Sequence, residues 1–120
     1  MDPSKKKFRI PGHMIKTLIS PMGGAIASDR ILVDGKNVGY MYREEPSHPQ
    51  DSGWHFFSGD ESQEYADDPD KFSIYAVNTI CNYDPSIIPY LNSKPGSAFG
   101  RIEGTDQYEL EESPEEPDDK

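Results

Sequence analysis

The chain has 120 residues but only one cysteine and one tryptophan, and it lacks any long hydrophobic run. The single thiol, Cys81, excludes an intramolecular disulfide and suits a reducing compartment; in its apolar setting it reads as a small core residue. No stretch approaches the roughly 20 apolar residues that a bilayer-crossing helix needs, so no membrane association is expected. Lys5, Lys6, Lys7 and Arg9 are followed by Pro11, Gly12, His13 and Lys16 where an export signal would be apolar, so a cytoplasmic location is expected. Positive charge is scarce after residue 43. Residues 1–43 hold eight Lys or Arg against three acids, whereas residues 44–120 hold four against nineteen, for a net charge of −10 overall. An acidic body repels phosphate backbones, which argues against nucleic acid as a partner and favours a basic protein surface.

Eleven prolines and ten glycines break up any long helical pattern. The length fits one domain with one modest core. Residues 1–22 read as a basic leader, residues 23–102 as the folded domain and residues 103–120 as a disordered acidic tail, since the last segment has nine acids and one lysine. Residues 24–33 suggest a first strand region interrupted near Ser28-Asp29-Arg30. Asp34-Gly35-Lys36-Asn37 is a turn signal leading into a strand over 38–44, the pattern of a hairpin. In that strand Val38, Tyr40 and Tyr42 share one face and Gly39, Met41 and Arg43 the other. A third strand, aromatic-rich, covers 54–58.

The acidic stretch 59–70 reads as an exposed loop with one helical turn, and 72–75 as a further apolar element. Val77, Ile80 and Cys81 have helical spacing. Asp84-Pro85 marks a helix start, with Asp as cap and Pro in the first turn. Residues 97–102 form a last short strand after the Pro95-Gly96 turn. The sum is an α+β domain: an antiparallel sheet of about four or five strands packed by one or two short helices.

Catalytic signals are sparse. His55, Asp60 and Glu61, with His13 and His48, supply ligand types for a metal-dependent hydrolase, but no His-x-x-x-His or Cys-x-x-Cys spacing anchors an ion. Asp60, Asp67, Asp68 and Asp70 lack the alternation and glycine of a calcium loop. Pro21-Met22-Gly23-Gly24 lacks the Lys of a phosphate loop, and no nucleophile elbow is present. The reading is therefore of a non-enzyme without cofactor or metal. The dense aromatic set divides into core candidates Tyr40, Tyr42, Trp54 and Phe56, and others set among carboxylates, a composition suited to contacting Lys and Arg.

Three blocks carry a family resemblance: Val38-Gly39-Tyr40-Met41-Tyr42-Arg43-Glu44, Asp51-Ser52-Gly53-Trp54-His55-Phe56-Phe57-Ser58-Gly59-Asp60-Glu61, and the run from Val77-Asn78 through Asn82-Tyr83-Asp84-Pro85 to Phe99. They resemble the immunity protein 33 family of bacterial polymorphic toxin systems, once catalogued as a domain of unknown function, over about residues 24–101. The resemblance implies an inhibitor that binds a cognate toxin and occludes its active site. Among the matching positions Asp60, Glu61, Tyr65, Asn82 and Asp84 are the partner-binding candidates, being polar or amphipathic in expected loops. Gly39, Trp54, Phe56, Pro85 and Phe99 read as fold determinants. The alternatives are the metal-dependent hydrolase and a regulatory or scaffold module that binds a housekeeping protein.

Overall fold

A computed structural model describes residues 8–111. Six strands form one sheet: β1 (Gly24–Ser28), β2 (Tyr40–Arg43), β3 (Asp51–Phe57), β4 (Phe72–Ala76), β5 (Ala98–Arg101) and β6 (Tyr108–Glu111), in the order β4-β1-β3-β2-β5-β6. All neighbours are antiparallel except β1 and β3. The short helices are α1 (Asp29–Leu32), α2 (Gln63–Ala66) and α3 (Val77–Tyr83), with a 3-10 segment at Pro85–Tyr90. The architecture is α+β as expected, with six strands instead of four or five.

Strand periodicity decides which residues enter the core. In β3 Trp54 and Phe56 are buried, and β2 and β5 meet them in register through Met41 and Phe99. Ala25 and Ala27 continue that face on β1. Onto it pack Ile31 and Leu32 of α1, Val77, Ile80 and Cys81 of α3, and Ile87 and Leu91 beyond. Burying each of the larger side chains contributes about 1.5–3 kcal/mol. Cys81 is a core residue, and burial pushes its thiol up to about 11. The Trp54 indole N–H donates to Leu91 O at 3.1 Å, which fixes the 3-10 segment over the sheet.

Three expectations change. The turn at 34–37 does not close a hairpin. Ser28 caps α1 by accepting from Arg30 N, so Ile31 and Leu32 enter the core from a helix, while β1 lies between β3 and β4. Tyr40 and Tyr42 are not core residues. Val38 precedes the strand with its side chain buried, and from Gly39 onward the inward position belongs to Met41. Finally, the acidic tail does not begin disordered at Glu103. Tyr108 is 7% exposed and β6 pairs with β5, so residues 108–111 belong to the sheet. Residues 112–120 and the lysines of 1–7 lie outside the described residues.

The leader crosses the helical side as an extended strap with one 3-10 turn at Gly12–Met14. It is tied by side chains of α3: Asn78 Oδ1 accepts from Leu18 N at 2.7 Å, Asn82 Oδ1 accepts from Lys16 N at 2.9 Å, and both amides donate to Lys16 O at 2.8 Å. Tyr83 Oη accepts from Ile10 N at 2.9 Å.

Two glycines are demanded by geometry. Gly53 has φ +84° within β3, and a Cβ there would overlap Glu44 O; a Cβ at Gly39 would overlap Ser58 O. Both come from the recognised blocks and let the β2 and β3 backbones approach.

Candidate functional site

Helices cover one face of the sheet and leave the central part of the other open. Ile26, Tyr40, Tyr42, His55, Phe57 and Phe72 line an open basin of about 650 Å³, bounded at one end by Gly59, Glu61 and α2. The same alternation that buries Met41, Trp54 and Phe56 directs their neighbours here. Tyr42 stacks on His55 with ring centroids 4.5 Å apart and planes 6° from parallel. Phe57 lies 6.0 Å from both Tyr40 and Tyr42, and meets Phe72 edge-on at 5.6 Å. Phe72 in turn meets Tyr65 of α2 at 6.1 Å. These contacts give a continuous aromatic surface held in fixed orientations, worth about 0.5–1.5 kcal/mol per pair beyond burial.

Carboxylates stand around it. Glu44 Oε1 lies 3.3 Å from His55 Nε2. Glu111 of β6 lies against Gly100, where the lack of a side chain makes room for it. Burial first, then this nearby carboxylate, push the Tyr40 phenol above its ordinary range. No Lys or Arg is among the residues lining the basin.

The five expected partner-binding residues do not form one site. Asp60, Glu61 and Tyr65 gather at the α2 end of the basin. Asp60 is half-exposed and accepts from the Ser58 hydroxyl; Arg30 Nε and Lys36 Nζ each lie 3.4 Å away. The Ser58 hydroxyl is the main cause holding its carboxyl below the usual range, with Lys36 and Arg30 adding to it. Arg30 Nε makes no hydrogen bond, so its link to Asp60 is ionic only. The Arg30 guanidinium also lies 4.9 Å from the Tyr65 ring centre. Glu61 holds the loop: its oxygens accept from Ser58 N at 2.9 Å and Gly59 N at 3.0 Å. Burial works to raise this carboxyl, but hydrogen bonds from Ser28 and the backbone at Ser58, Glu61 and Gly59 outweigh it and hold it low.

Asn82 and Asp84 sit on the helical side and are engaged within the fold. Asn82 holds the leader. Asp84, 5% exposed, caps the 3-10 segment, accepts from Val38 N at 2.8 Å and forms a short ion pair with Arg101. Arg101 and Ser86 also contact the Tyr108 hydroxyl, which donates to Val38 O at 2.9 Å. Burial pushes that phenol up to about 12. Asp84 reads from this geometry as a fold determinant, contrary to its expected loop exposure.

The residues missing from the sequence-based set are Tyr42, His55, Phe57 and Phe72. The signal that could have found them is strand parity: Trp54 and Phe56 inward require His55 and Phe57 outward. For the metal reading, His55 is engaged with Tyr42 and Glu44, and His48 Nδ1 accepts from Gln50 N. Among the described residues no group of three His, Cys, Asp or Glu side chains could hold an ion, and no helix is long and apolar enough to cross a membrane.

No curated protein and no solved structure matches the chain. The family model of the immunity protein Imm33 domain matches residues 25–111, from β1 through β6. That span runs ten residues beyond the resemblance visible in the sequence and takes in the last strand. With the fold, the three motif blocks and most of its length inside this match, the chain belongs to the Imm33 immunity protein domain family.

Proposed function

We propose that this immunity protein inhibits a toxin in the cytoplasm by seating a basic surface of it on the open aromatic face, so that the toxin's active site is occluded. The observation that carries the reading is that face itself: the rings of Tyr40, Tyr42, His55, Phe57 and Phe72, packed on one another in stacked, tilted and edge-on contacts on the side of the sheet away from α1 and α3, and bordered by Glu44, Glu61 and Glu111. Rigid aromatic groups supply contact area at low entropic cost, and the carboxylates supply attraction for Lys and Arg. The excess of acids after residue 43 adds long-range steering, which makes association fast and salt-sensitive.

The test is Tyr42→Lys, which keeps an aliphatic stem but removes the ring stacked on His55 and reverses the chemistry offered. Binding to a catalytically inactivated form of the toxin encoded beside this gene should weaken about 30-fold, the loss of one aromatic hot spot. Growth protection during co-expression with active toxin should fall with it, while the melting profile stays cooperative. A folded Tyr42→Lys protein that binds and protects like the wild type would place the interface elsewhere.

A further inference from the structure

Asn78 and Asn82 belong to the third motif block and to the span matched by the family model, yet the segment they hold lies outside that span. They stand one turn apart on α3, and Asn82 Nδ2 also donates to Asn78 O at 2.9 Å, which fixes its amide. Asn82 takes both main-chain groups of Lys16: Oδ1 accepts from the N–H at 2.9 Å and Nδ2 donates to the C=O at 2.8 Å, as a neighbouring strand would. Asn78 spans the next step, donating to the same carbonyl and accepting from Leu18 N at 2.7 Å and Ile19 N at 3.2 Å. Tyr83 Oη engages Ile10 in the same way, accepting from its N–H at 2.9 Å with its C=O 3.4 Å away.

Among the described residues, the hydrogen bonds between α3 and the leader end on leader main chain and none on a leader side chain. The side chains of Met14, Lys16 and Leu18 turn to solvent, while those of Ile15 and Ile19 are half-buried. The helix therefore reads an extended backbone and little of its sequence. Val77, Ile80 and Cys81 pack α3 onto the sheet, so the carboxamides stand on a rigid base that is set before the leader arrives.

We infer that the outer face of α3 is a binding site for an extended main chain, with the leader as its resident ligand, held in cis and exchangeable for the leader of a second copy. The fit to that segment is observed, and a second copy brings the same one. Charge favours it as well: residues 1–43 have eight Lys or Arg against three acids, and residues 44–120, which include α3, have four against nineteen. The site lies on the opposite side of the sheet from the aromatic basin, so it stands whether or not a toxin seats there.

A labelled peptide of residues 8–22 stands in for the second copy's leader. Lys16→Pro in the full chain removes the N–H that Asn82 accepts and frees the site of its own leader. The peptide should bind this chain at least about 10-fold more tightly than wild type, whose leader competes at an effective concentration of about millimolar. Adding Asn78→Leu and Asn82→Leu should cost about 30-fold. A peptide N-methylated at Lys16 and Leu18 should lose about 10-fold or more, and one with alanine at both positions less than about 3-fold. No binding to the Lys16→Pro chain, or an alanine peptide that loses as much as the methylated one, overturns the inference. Hydrogen exchange covers the case in which Lys16→Pro misfolds: Asn82→Ala should speed exchange at the Lys16 amide by about 10-fold while the amides of β3 keep their rates. An unchanged Lys16 rate overturns the inference equally.

Discussion

Replacing Asp84 with alanine should destabilise the fold without touching the open face. The carboxylate accepts from Val38 N, Ser86 N and Ser86 Oγ, and pairs with Arg101, whose side chain is 15% exposed. Breaking a buried pair by removing one partner costs about 3–5 kcal/mol, because the surviving charge is left uncompensated. Loss of the cap adds about 1 kcal/mol. Arg101 keeps Thr105 O at 2.7 Å and Asp106 at 3.1 Å, so its charge is not orphaned, and about 3 kcal/mol is the expected total. At a urea slope of about 1.5 kcal/mol per molar, the unfolding midpoint moves down by about 2 M. Asp84→Asn keeps an acceptor and should cost about half as much. The double variant Asp84→Ala with Arg101→Met should be less destabilised than the sum of the two single changes, since neither charge is left alone. Urea titration followed by tryptophan fluorescence reads all of these, Trp54 being buried in the core. A midpoint for Asp84→Ala within about 0.3 M of wild type would refute the structural role and return Asp84 to the list of interface candidates.

Gly53→Ala forces a side chain into a left-handed backbone against Glu44 O, and should cost about 1–3 kcal/mol in the same titration, where Gly104→Ala, with open space around it, should cost less. Glu61 has a depressed folded pKa, so its stabilisation is present above the unfolded carboxyl value and is lost as pH falls through the folded one. Glu61→Gln should therefore be less stable than wild type at pH 7 and converge with it in acid; a gap unchanged at low pH would show that the charge is irrelevant. Asn82→Ala removes an amide that both donates to and accepts from Lys16, and should speed trypsin cleavage after Lys16 several-fold, measured by mass spectrometry on native protein.

Much of the fold was legible where one local rule sufficed. Asp84-Pro85 marks a helix start because a cap and a proline do the same work in any context, and Pro89 in the same segment fits the tighter 3-10 form. Trp54 and Phe56 read as inward because β3 alternates from Trp54 to Phe57. The hairpin at 34–37 failed because the turn residues are real but the element before them is a helix, and only the cap at Ser28 separates the two outcomes. The last strand was hidden by composition. Glu109 and Glu111 make the segment look like tail, whereas Tyr108 anchors it through a network whose other members are Val38, 70 positions away, Ser86, 22 away, and Arg101, seven away across the β5–β6 turn. Long-range pairing of this kind leaves no local trace.

The site was half legible for a related reason. Acidic loops announce themselves by composition, so Asp60, Glu61 and Tyr65 could be found, but composition cannot tell a carboxylate offered to a partner from one holding its own loop. Glu61 is of the second kind and Asp60 is already matched by Arg30 and Lys36, so neither charge is wholly free for recognition. The open face has the opposite character. Tyr42 and His55 stack on each other without burying either ring fully, and the basin around them has acids at its border and no Lys or Arg among its lining residues, while Arg30 and Lys71 lie over the Tyr65 ring at its α2 end. Groups that hold the core and the loops together resist substitution for reasons of stability, whereas half-buried groups on the open face can be changed at less cost to folding. Variants on the two sides of this sheet should therefore separate: changes at Asp84, Arg101 or Gly53 should reduce protection in proportion to the folded protein lost, and changes at Tyr42 or Phe57 should reduce it at constant folded protein.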